Sequence, residues 1–304
     1  MQLIKRKEVN ISKDTFSYLH LENEIKGKNI FFFHATGFNA ETYSPFFLKL
    51  DELLAHEYSI YALDQRGHGL SRASAIPSDL TSWRTYFSDA KEFVDRFKTS
   101  ENVVMGHSMG AVVASKISFD LENSIKKSIL IDPVLQPQSL SFQLPFFNIS
   151  NKLFIRLMSY LKKNRATEMI NNAKKRRSIF TDKDDIFNHY TGRGAFKNWP
   201  EDFLRAYING GTKVINNQTN LSCVPEWEAK TFAVSYVART KFISKIKNST
   251  YVPYASEGST FSSDVRERLK RNPNYIFEEI NGSHFFPMEK KDLICEKIST
   301  FINS

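Results

Sequence analysis

The sequence predicts an α/β protein: a doubly wound, mostly parallel sheet with an inserted helical cap. Three observations predict it. Short runs that are apolar throughout, rather than alternating, suit strands covered on both faces. Helix-like stretches separate these runs, and strand–helix alternation argues for a parallel sheet. The alternation then breaks from about Val134 to Ser235, where helix-like segments occur without clear strand runs.

The elements follow in chain order. Ile4 to Leu21 reads as an antiparallel edge hairpin, and Asn29 to Phe33 as the first buried strand. Ala40 to His56 is helical, Tyr58 to Leu63 a strand, and Trp83 to Lys98 a helix. Asn102 to Gly106 is a strand that leads into a helix from Met109 to Leu121, with Lys127 to Ile131 the strand after it. The middle tract carries helical segments such as Asn151 to Lys163 and Pro200 to Ile208. Thr250 to Tyr254 and Tyr275 to Ile280 resume the sheet, and Lys290 to Ile302 closes it with a helix. The expected division is a core of residues 1–134 and 235–304, with the cap over 135–234. No repeat or low-complexity linker interrupts it.

Composition narrows the class. A hydrophobic share of 41% over 304 residues supports a sizeable core and argues against disorder. Cys223 and Cys295 are too few for a disulfide framework or a zinc site, so free buried thiols in a reducing compartment are expected. Met1 to Phe16 is broken by charges with no apolar run behind it, and no stretch is long and apolar enough for a membrane span. The expected location is the cytoplasm. Of the net charge of +9, residues 140–215 contribute +8, from fourteen Lys/Arg against six Asp/Glu. Lys174-Lys175-Arg176-Arg177 is the densest part. It reads first as a solvated helix face, with weak contact to an anionic surface, partner or substrate as the sharper reading. Nucleic acid is disfavoured, because no recognition motif accompanies the charge.

The chemistry centres on Gly106-His107-Ser108-Met109-Gly110, which fits a G-x-S-x-G nucleophile elbow. The serine sits on a strained strand-to-helix turn, so neighbouring side chains must be absent. Val103-Val104-Met105 before it is strand-like, and Ala111-Val112-Val113-Ala114 after it is helix-compatible. A serine needs a base. Of seven histidines only His189 and His284 follow Ser108, and His189 lies in the insertion. His284 follows the last strand, at the carboxyl edge of the sheet, and is the expected base. The acid that orients it has two candidates. Asp132 ends the strand Lys127 to Ile131, where a carboxylate is costly unless paired. Glu257 lies in the later loop, where Thr260 stands about where an aspartate would be expected. Asp132 is favoured and Glu257 is the alternative. Oxyanion donors are expected from the backbone N–H groups of Met109 and Thr36, the latter in the loop His34-Ala35-Thr36-Gly37-Phe38. His34 is read as structural. Asp64 to Ser71 is read as a glycine turn pinned by Asp64 and Arg66. No Cys, His or acid cluster has metal spacing and no glycine loop cradles phosphate, so no cofactor or metal is expected.

Together these residues resemble the α/β-hydrolase superfamily, in its esterase/lipase-like branch. The matching pieces run from His34-Ala35-Thr36-Gly37-Phe38 through Asp64 to Ser71, Gly106 to Gly110 and Ile131-Asp132-Pro133 to Gly282-Ser283-His284-Phe285-Phe286-Pro287-Met288-Glu289. One departure is Ala35, where the family usually has its first glycine after the histidine. The insertion is similar to the helical cap of one bacterial subgroup, through Arg176-Arg177, Tyr190, Trp199, Leu204-Arg205-Ala206-Tyr207 and Cys223 to Ala229. That subgroup has Glu-Pro where Asp132-Pro133 stands and no aspartate in the later loop, which implies Asp132 as the acid.

The expected function is hydrolysis of a small-molecule carboxylic ester through an acyl-enzyme. Thioesterase and carbon–carbon bond hydrolase are the alternatives on the same triad, and a non-catalytic binding protein of the same fold is the alternative from another class. Phe38, Trp199, Trp227 and Phe285 read first as core and second as the lining of an acyl pocket.

Overall fold

A computed structural model describes residues 4–23, 27–136, 164–235 and 242–304. Strands β1 (Lys5–Ile11) and β2 (Asp14–Leu21) form the expected antiparallel hairpin, with Ile11 opposite Asp14 at its turn. Strands β3 (Lys28–Phe33), β4 (Ser59–Leu63), β5 (Glu101–His107) and β6 (Ile125–Ile131) each lie within a few residues of the predicted runs. Two later strands, β10 (Ser249–Ala255) and β11 (Tyr275–Ile280), complete a sheet of eight, in which β4, β3, β5, β6, β10 and β11 run parallel to one another and β2 pairs antiparallel with β4.

The sheet is buried on both faces, which explains runs that are apolar throughout. Ile30, Phe32, Val103, Met105, Ile129 and Ile131 point into one core. Phe31, Phe33, Val104 and Leu130 point into the other. Helix α1 (Ser44–Leu53) covers the first core with Phe46, Phe47 and Leu50. Helices α2 (Arg84–Phe97) and α3 (Met109–Asp120) cover the second with Phe93, Val112 and Ile117. Phe31, Phe32 and Phe33 are fully buried, and each such side chain contributes roughly 1.5–3 kcal/mol of transfer free energy. The predicted helix over Ala40 to His56 is shorter. It starts as a 3-10 turn at Glu41–Tyr43, and beyond Leu53 the backbone turns left-handed at Ala55 and His56.

The middle tract corrects one expectation. It carries helices α4 (Asn164–Lys175), α5 (Lys183–Tyr190), α6 (Glu201–Gly210) and α7 (Pro225–Val234). It also holds a second sheet of three strands, β7 (Ile179–Phe180), β8 (Thr212–Ile215) and β9 (Gln218–Leu221), in the order β7-β9-β8. Strands of two to four residues are too short to show alternation. Asn216 and Asn217 both adopt positive φ (50° and 59°), the turn that joins β8 to β9 with the twist a tight hairpin needs. The predicted helix Asn151 to Lys163 lies outside the described residues.

The chain returns to the main sheet with β10 (Ser249–Ala255), helix α8 (Ser263–Leu269), β11 (Tyr275–Ile280), the short α9 (Phe286–Glu289) and α10 (Lys291–Asn303). Among the described residues no helix is long and apolar enough to cross a membrane. From β3 the chain goes to β4 on one side and then to β5 on the other. The order therefore reverses between β3 and β5, and crevices open at the carboxyl ends of strands flanking such a switch. The loops after β3 and β5 are the ones that carry Thr36 and Ser108.

Candidate active site

Ser108 joins β5 to α3 at φ 58° and ψ −117°, a backbone conformation that a residue with a side chain rarely adopts. Strain of this kind costs of order 1–3 kcal/mol and persists only where the surroundings over-determine it. Here the Ser108 N–H donates to Ile131 O at 3.0 Å, and its carbonyl accepts from Val134 N–H at 3.4 Å. The motif's glycines have a steric cause. A Cβ on Gly106 would collide with the Gly110 carbonyl, and one on Gly110 with the Phe33 carbonyl at the end of β3.

Asp132 follows β6 directly, itself at a positive φ of 37°, and is fully buried. Its N–H donates to Pro253 O of β10 at 2.8 Å. Its Oδ2 lies 2.5 Å from His284 Nδ1 and accepts from Thr260 N–H at 3.1 Å. Its Oδ1 accepts from the Ser259 hydroxyl at 2.5 Å and from Ala255 N–H at 3.2 Å. The later loop, which has no aspartate of its own, thus supplies donors to Asp132. Burial alone would favour the protonated acid. The hydrogen bond and charge of His284, then Ser259 and Thr260, outweigh it and hold Asp132 below the usual carboxylate range. A carboxyl depressed by folding stabilises the fold above the ordinary carboxylate value of about 4, and that contribution is lost as pH falls through its folded value. Asp132→Asn should therefore flatten the loss of stability on acidification, read as urea midpoints from pH 5 downward.

Glu257 stands differently. It is exposed, and its N–H donates to Gly282 O at 3.1 Å. Among the described residues its carboxylate makes no hydrogen bond or ion pair with His284. His189 packs edge-on against Phe180 and Tyr190 inside the insertion.

The two residues expected to supply oxyanion donors touch through their side chains. The Thr36 hydroxyl donates to Met109 Sδ at 3.3 Å, which ties the loop after β3 to the first residue of α3. His34 braces that loop: its Nδ1 donates to Ala35 O at 2.8 Å and its Nε2 accepts from Gln65 N–H at 3.0 Å. Burial pushes His34 down to about 4, so it stays neutral, as a structural role requires. Asp64 accepts from Ala40 N–H, Leu70 N–H and Arg6, while Arg66 is bidentate to Asp89 and also reaches Asp14. The Asp64 to Ser71 segment is thus a pinned turn, as read.

The insertion brings its own residues close. Phe38 of the loop after β3 packs edge-on against Trp199 with ring centres 5.1 Å apart, and Phe285 lies 6.0 Å from Phe38 and 5.3 Å from His284. Trp227 is elsewhere, with its N–H donating to Arg66 O at 3.1 Å. Of the four basic residues, Lys174 and Lys175 are exposed, Arg177 pairs with Asp185 at 2.6 Å, and Arg176 pairs with the buried Glu228. That pair abuts the loop after β3, since a Cβ on Gly37 would collide with the Glu228 carboxylate. Two features escaped the sequence reading. Arg176–Glu228 joins residues far apart in the chain, with no spacing signal. Tyr43 falls in the predicted helix Ala40 to His56 and His107 ends β5 within the elbow motif, yet only their hydrogen bonds draw them into the site.

Residues 26–224 match the family model described as serine aminopeptidase, S33. The chain is also similar to an esterase/lipase candidate from Haemophilus influenzae, with 26% identity over 82% of this chain and 75% of that protein. Among solved structures it resembles E-2-(acetamidomethylene)succinate hydrolase, with a TM-score of 0.76 at 15% identity over 99% of this chain and all of that one. It also resembles a thioesterase domain from the curacin biosynthetic pathway, with a TM-score of 0.74 at 15% identity over 98% and 99% of the two chains.

Proposed function

This chain belongs to the serine aminopeptidase S33 family of the α/β-hydrolase superfamily, and we propose that it cleaves a small-molecule carboxylic ester through an acyl-enzyme. One observation carries the reading: the 2.5 Å contact of Asp132 Oδ2 with His284 Nδ1, beside the strained elbow of Ser108. With Nδ1–H held by the carboxylate, His284 keeps its Nε2 lone pair for the Ser108 proton. Ser108 Oγ attacks the ester carbonyl, and the Thr36 and Met109 N–H groups receive the oxyanion. His284 then protonates the departing alkoxide and takes a proton from the water that releases the acid.

Residues 135–234 serve in this reading as a cap over a core of 1–134 and 235–304. The support is the cluster of Phe38, Trp199 and Phe285, in which the insertion packs against the loops of Thr36 and His284. Contact with an anionic surface would fall mainly to Lys174 and Lys175. The buried, unpaired thiols of Cys223 and Cys295 support the cytoplasm as the proposed compartment.

A fluorophosphonate probe tests the reading. It should label Ser108 of the folded protein, and p-nitrophenyl esters should then be turned over faster than matched thioesters. No labelling would return the chain to a binding role, and a reversed preference would make it a thioesterase.

A further inference from the structure

We infer that His107 and Tyr43 are positioning residues for His284, joined in one hydrogen-bond chain that can run in only one direction. The inference rests on the proposed role of His284 as base. His107 Nε2 lies 2.9 Å from the main-chain oxygen of His284. A carbonyl only accepts, so Nε2 carries the proton. Burial, and then the neighbouring His284 imidazole, push His107 down to about 3, so the ring is neutral and Nδ1 holds its lone pair. The Tyr43 hydroxyl, 2.7 Å from Nδ1, must therefore donate to it. The Tyr43 oxygen remains free to accept from Ala35 N–H at 3.3 Å.

The chain thus runs from Ala35 N–H to Tyr43 O, from Tyr43 O–H to His107 Nδ1, and from His107 Nε2–H to His284 O. It begins on the oxyanion loop, passes through the elbow and ends on the loop of the base. Ala35, Tyr43 and His107 are buried, so water does not reach the first two links, and only the last, at the partly exposed His284, lies near solvent. The His107 ring also lies against that of His284, with centres 4.7 Å apart and planes 36° from each other. Asp132 fixes His284 from its Nδ1 side, and His107 fixes its backbone and one ring face. Because His107 stays neutral, it adds no positive charge beside the imidazolium that forms when His284 takes a proton.

Three variants test this: His107→Gln keeps a donor near Nε2, His107→Asn keeps a polar group only near Nδ1, and Tyr43→Phe removes one oxygen. The readouts are kcat and KM on p-nitrophenyl acetate, and the far-downfield proton resonance of His284 Nδ1–H. His107→Asn should lower kcat by about 10- to 100-fold, the cost of misplacing a reacting group, with KM within about threefold. Its resonance should shift or broaden. His107→Gln should restore most of kcat and the resonance, and Tyr43→Phe should fall between. Wild-type kcat and an unmoved resonance in both His107→Asn and Tyr43→Phe would overturn the inference, as would equal losses in the Asn and Gln variants. Should His107→Asn not fold, Tyr43→Phe against His107→Gln decides. Should the wild type turn over no ester, the ester reading fails by itself, and the resonance in the same variants still decides whether the chain holds His284.

Discussion

Ser108→Ala should reduce kcat on an activated short-chain ester by on the order of 10⁶-fold, the scale of losing the nucleophile from a cooperating triad. Oxyanion donors and binding alone leave only about 10³–10⁴-fold acceleration over water. Two features make the substitution a clean one. The Ser108 N–H and C=O are held by Ile131 and Val134, not by its side chain. Its side chain makes no capping hydrogen bond to α3. The variant should therefore fold, with a urea midpoint near the wild type's. A folded Ser108→Ala protein that keeps its rate would mean that another group does the chemistry.

The second large effect concerns the acid. Asp132→Asn should lower kcat by about 10⁴-fold at neutral pH, because an amide cannot hold the base in the Nδ1–H tautomer or stabilise the imidazolium. Glu257→Gln should change kcat by less than about twofold, since an exposed carboxylate contributes little. The pair of variants is read on one substrate, with kcat/KM followed across pH. Asp132 is held below the usual carboxylate range, so its own protonation does not set the acid limb of that profile. A large loss in Glu257→Gln with Asp132→Asn intact would reverse the wiring.

The sheet was legible because burial on both faces leaves an unmistakable mark. Phe31, Phe32 and Phe33 in succession leave no polar face, so the strand must be covered twice. The elbow was legible because two backbones meet at Gly106 and Gly110, where no side chain fits. Asp132 was legible as a carboxylate closing an apolar strand, a placement that is costly without a partner. Its other partners were not. Ala255, Ser259 and Thr260 reach it because β10 lies beside β6 with Tyr251 opposite Ile129, and such register is decided by tertiary packing. The insertion's strands were missed because they are shorter than the period that reveals strands, although Asn216-Asn217 marked the hairpin between two of them. His107 stands at an unspecified position of the G-x-S-x-G motif. Its importance lies in a partner 177 residues away, which no local pattern reports.

Taking the acid from β6 changes the order in which a growing chain assembles the proposed machinery. Ser108 and Asp132 belong to one strand–helix–strand unit, β5–α3–β6, which is complete long before β11 is made. Chains fold from the N-terminal side during synthesis. A ribosome-bound intermediate would then hold the nucleophile, the acid and both oxyanion donors, yet lack the base. His284 arrives only after the last sheet strand, so the proposed base would join the other groups only once β11 has docked.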